Sequence, residues 1–61
     1  MSQVYNPESN QRAEIERLEL EARDVRRRIE RARNQQDRRV LNRQLHELEE
    51  QVQYLQSRLP Q

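Results

Sequence analysis

The side chains with the most chemical potential in this 61-residue chain are one histidine and a crowd of arginines. His46 is of a type that serves as a general base or a metal ligand, and Glu47, Glu49 and Glu50 stand close to it in sequence. A zinc or iron site needs several ligands converging on one point, and the chain has no Cys and no second His. His46 therefore reads as a solvated polar residue on an outer helix face, and its neighbouring glutamates as a hydrated surface. No Gly-rich loop can form without Gly, and no nucleophile–base pair is recognisable. The expectation is a non-enzymatic protein with no catalytic residue, no metal and no cofactor.

The arginines carry more. All twelve basic residues are Arg, which points to a GC-rich coding sequence. Arg23, Arg27 and Arg31 recur every four residues, and Arg39 and Arg43 repeat that step. On a helix such spacing makes a like-charged stripe, which weakens the isolated helix by a few tenths of a kcal/mol per pair. Glu19–Arg23 and Asp24–Arg28 have the order that relieves it. A guanidinium grips carboxylate or phosphate through two parallel hydrogen bonds. The stripe thus suits an anionic partner: an acidic protein surface, a nucleic acid, or Glu14, Glu19 and Glu21 of a second copy. Only Tyr5 and Tyr54 are available to stack on bases, which disfavours single-stranded nucleic acid.

Charge is unevenly distributed. The net charge is only +1. Residues 23–43 hold nine Arg against Asp24, Glu30 and Asp37, whereas residues 8–22 and 44–61 are each acidic on balance.

The elements that position these residues follow from the apolar spacing. Ile15, Leu18, Ala22, Val25, Ile29 and Ala32 alternate steps of three and four, and so do Leu41, Leu45, Leu48, Val52, Leu55 and Leu59. Both rows are heptad seams, with apolar residues at every a and d position. They are out of phase, because Ala32 to Leu41 is nine residues. A bend at Asn34–Asp37 restores register, with Asn34 ending one helix in a left-handed conformation and Asp37 capping the next. The numbers of facing residues then share one total: Ile29 with Leu41, Val25 with Leu45, Ala22 with Leu48, Leu18 with Val52 and Ile15 with Leu55 all sum to 70. The predicted fold is all-α, an antiparallel two-helix coiled-coil hairpin. Its parts are a disordered tail over 1–6, a helix over 7–33 entered through Asn6 and Pro7, a turn over 34–37, a helix over 38–59 and a tail over 60–61.

Hydrophobic residues make up 31% of the chain, a thin supply for a core, so a lone hairpin is marginal. Leu20, Val40 and Tyr54 fall outside the seam, at f and c positions, and predict a self-association or partner surface. Two hairpins packed antiparallel into a four-helix bundle would lay each basic turn end over the other's acidic open end. No apolar run approaches the ~20 residues of a membrane span, and no signal-peptide core follows Met1. A cytoplasmic homodimer is expected.

A short, Arg-rich two-helix hairpin resembles in architecture the Rop-like regulators of plasmids. That resemblance implies a dimeric four-helix bundle that binds RNA, and it rests on no sequence motif. The chain is also similar in style to small phage-encoded proteins that bind and inactivate a host regulator, which implies a location in the host cytoplasm. The expectation from the residues is an interaction protein that dimerises and binds, with inhibition as the outcome, a regulatory protein bearing an acidic surface. The alternative is a nucleic-acid-binding regulator acting through its Arg face.

Overall fold

The computed structural model describes residues 7–60. Two helices account for nearly all of them: α1, Pro7–Arg31, and α2, Gln35–Ser57, packed against one another as a helical hairpin. There is no strand among the described residues. The tail expected over 1–6, with its Asn6 cap, and Gln61 lie outside them.

α1 starts at Pro7 with Glu8 in its first turn. Proline's fixed φ and missing N–H suit the first helical position, and an acid there faces the positive end of the helix dipole. Along the seam Ile15, Leu18, Ala22 and Val25 are buried, at 4–8% exposure. Ile29, Ala32 and all six residues of the second seam row, Leu41 to Leu59, are half-buried.

The connection differs from the expected turn. α1 stops at Arg31 and α2 begins at Gln35, leaving Ala32–Asn34 between them. Asn34 does not enter the left-handed region. It has φ −96° and ψ 131° and caps α2, its side-chain oxygen accepting from the Gln36 N–H at 2.8 Å. Its carbonyl accepts from the Arg38 N–H at 3.1 Å, the first bond of the new helix. With Asn34 as the cap, Asp37 lies in the first turn of α2, where its charge favours the dipole. No non-Gly residue has positive φ among the described residues.

The α1 end is closed from across the turn. The Ala32 N–H donates to the Ile29 carbonyl at 3.2 Å, and Arg38 Nε donates to the Ala32 carbonyl at 3.1 Å. Arg38 occupies the a position that the sum of 70 sets opposite Ala32. The last seam layer is therefore a polar clasp. α2 ends at Ser57, short of the expected Leu59. Arg58 and Leu59 donate to the Leu55 and Gln56 carbonyls at 3.2 Å in a tightened turn. Pro60 is the physical cause, because a residue before proline is pushed out of the helical region. Among the described residues no helix is long and apolar enough to cross a membrane.

Candidate functional site

Of the nine arginines in residues 23–43, three are engaged. Arg26 reaches across the seam to Glu49, 2.8 Å away, joining e positions of the two helices. Arg28 pairs with Asp24 one turn back, at 3.1 Å. Arg38 is the clasp on Ala32. The other six, Arg23, Arg27, Arg31, Arg33, Arg39 and Arg43, are exposed and make no side-chain hydrogen bond or ion pair among the described residues. Five of these six are the arginines singled out from spacing. Arg33 is the addition, at an e position beside the turn.

The six are spread round the hairpin. Arg27 and Arg43 occupy f positions, pointing away from the seam on each helix, and their numbers sum to 70, so they share one layer on opposite outer edges. Arg23 and Arg39 sit at b, Arg31 at c and Arg33 at e. Arg23 lies mid-hairpin, in a hollow with Glu19, Arg26 and Glu49, and the other five form a collar around the turn end. A hollow on one side of it is lined by Arg33, Arg38, Arg39, Gln35 and Asn42. A hollow on the other side has Ala32, Val40 and Leu41 as its apolar part and Arg28, Arg31 and Asp37 around them.

Neighbouring carboxylates do not quench the collar. Glu19 does not pair with Arg23, contrary to the expected i, i+4 contact, whereas Asp24 does pair with Arg28. At the open end, by contrast, Arg12 pairs with Glu8 at 3.0 Å, and Arg17 bridges Glu14 and Glu21. Arg58 donates to the Tyr54 hydroxyl at 3.1 Å and lies 5.6 Å from the centre of its ring.

His46 is exposed, its Nε2 2.9 Å from Glu50 Oε1. Among the described residues no group of three metal-capable side chains comes together. Leu20, Val40 and Tyr54 are the exposed large apolar residues among those described, at 62%, 59% and 59%. They do not make one patch. Leu20 lies at f on the back of α1, whereas Val40 and Tyr54 share the c row of α2, two heptads apart. Tyr54 stands at the open end, away from the collar.

Sequence reasoning missed the Arg38 clasp and the Arg26–Glu49 bridge. The signal for the first was the rule that paired the seam, had it been carried one layer further to 32 and 38. For the second it was opposite charge at facing e positions. Compared with protein-family models, curated proteins and solved structures, the chain matches none of them.

Proposed function

We propose that this chain is a small non-enzymatic interaction protein that homodimerises and seats its Arg-bearing turn end in an acidic recess of a regulatory protein, inhibiting that partner by occupying the recess. The observation carrying this reading is the collar of five exposed arginines, with Arg23 behind them, which have no partner among the described residues while the remaining arginines are engaged. Holding like charges together without local compensation costs stability, and an anionic partner recovers that cost. Arg27 and Arg43 point to opposite outer edges of one layer, so a concave surface that embraces the tip reaches both. A phosphate backbone running along one face reaches only one of them.

A nucleic-acid regulator is the second reading, favoured by the hollow that groups Arg33, Arg38 and Arg39 on one side. Phosphate recognition needs only such a group, without aromatic stacking. Fluorescence anisotropy separates the two, with poly-glutamate as the acidic-polypeptide probe and a structured RNA as the phosphate probe, both at physiological salt. The expected result is poly-glutamate binding that falls when Arg27 and Arg43 are both changed to Gln, with RNA binding weak from the outset. Sub-micromolar RNA binding whose salt slope shrinks by about one unit per lost contact in that variant would overturn the protein-partner reading.

A further inference from the structure

The c row of α2 reads Val40, Glu47, Tyr54, so the two exposed apolar residues lie equally far on either side of Glu47, about 10 Å each way. They flank one side of the hairpin, the side bearing the g residues of both helices. At the turn end of that side is the hollow formed by Ala32, Val40 and Leu41 with Arg28, Arg31 and Asp37. At the open end of the same row stands the exposed Tyr54 ring. A knob and a hollow on one face, symmetric about a third residue, are self-complementary, as a two-fold interface requires.

We propose that a second copy of the chain docks on this face, with the two-fold axis passing beside Glu47, so that Tyr54 of each copy enters the Val40 hollow of the other. The inference rests on the dimerisation reading above and specifies its geometry. An axis perpendicular to the hairpin's length stacks α2 on α2 in opposite directions and α1 on α1 likewise. The basic turn end of each copy then lies over the acidic open end of the other, where Glu14 stands. A parallel arrangement brings two collars together and is repelled. Tyr54 brings its ring to the apolar part of the hollow and its hydroxyl toward Asp37 and the two arginines. Among the described residues, the opposite side of the hairpin carries no large exposed apolar residue. It holds Arg23, Arg33, Arg39 and the Arg26–Glu49 bridge, and stays open to the anionic partner.

The axis gathers acids at its centre, Glu47 with Glu21 and Asp24 of the same hollow, and sets Glu47 in like-charge contact with Glu47 of the second copy. That contact gives the geometry an unusual signature: removing a charge there tightens the dimer. The chain has no Cys, so a single introduced thiol reports unambiguously. Glu47→Cys, treated with a short bis-maleimide, is expected to give a covalent dimer, whereas His46→Cys, on the other side of α2, is not. Val40→Cys and Tyr54→Cys chains are expected to cross-link when mixed and not separately. By sedimentation, Tyr54→Ser weakens self-association about tenfold, as loss of an aromatic anchor does. Glu47→Gln strengthens it by about threefold, on the scale of one exposed charge pair. Both positions are off the seam, and circular dichroism verifies that the hairpin persists. A monomeric wild-type chain removes the dimerisation reading together with this geometry. A dimer that Glu47→Gln weakens, or whose His46→Cys variant cross-links as readily as the Glu47→Cys variant, leaves dimerisation standing and overturns this face.

Discussion

The two ends of the hairpin treat arginine in opposite ways. At the open end Arg12, Arg17 and Arg58 each have a partner within the chain, and Arg17 has two. Of the nine in residues 23–43, six have none among the described residues. Acids stand in reach at both ends: Arg27 has Asp24 and Glu30 three residues away, and Arg33 has Glu30 and Asp37 at three and four, yet none of these pairs forms. What differs is supply, since within 23–43 nine Arg meet three acids and most guanidiniums are left over whichever pairs form. A helix builds its surface pairs from near sequence neighbours, so a run rich in one sign leaves charge unspent. Stability is secured where the signs alternate, and uncompensated charge accumulates where they do not.

The largest effect expected along this contrast is in the seam that both ends share. Leu18→Ala empties a buried position, and such truncations cost about 2–5 kcal/mol. In so small a chain this is expected to abolish the cooperative thermal transition by circular dichroism. Ile29→Ala, in the half-buried part near the turn, is expected to lower the melting temperature and leave the transition intact.

Asn34→Ala removes the cap of α2 and is expected to cost about 1 kcal/mol, read from chemical denaturation. Arg38→Met keeps the apolar stem but loses the bond to the Ala32 carbonyl, for about 0.5–1.5 kcal/mol. If Arg38→Met is neutral while Arg27→Gln is destabilising, the division between engaged and partnerless arginines collapses.

The smallest effects carry opposite signs. Arg17→Gln breaks two exposed pairs and is expected to destabilise by less than about 1 kcal/mol. Arg27→Gln, which relieves crowding between like charges, is expected to stabilise by a few tenths of a kcal/mol. Added salt should shrink both differences, because exposed charges are screened. Melting curves of the two variants at low and high salt check the sign and its convergence.

The two helices and the place of the bend were legible because apolar periodicity is a long-range signal: twelve positions in two phases leave few folds to choose from. The ends of the helices were less so. Asn34 is compatible with ending α1 or starting α2, and only its backbone angles and its bond to the Gln36 N–H decide between them. Pro60 bounds α2, yet where the helix stops before it depends on how the last turn tightens. The candidate site divides the same way. Exposure of Arg23, Arg27, Arg31, Arg39 and Arg43 follows from their heptad positions. Partnership does not, since Glu19–Arg23 and Asp24–Arg28 have identical spacing and only the second pair forms.

The short connection at Ala32–Asn34 also fixes an order of events in time. Pairing is nested around it: Ile29 and Leu41 can meet by closing a small loop, whereas Ile15 and Leu55 must close about two thirds of the chain. Loop-closure entropy makes the inner layers form first and the outer ones zip up after them. Those inner layers carry the unpartnered arginines, so the earliest step brings like charges together before the well-buried layers at Leu18 and Ile15 reward it. The folding rate of this hairpin should therefore rise with ionic strength more steeply than its stability does, and a bound polyanion at the turn should act on it as a template.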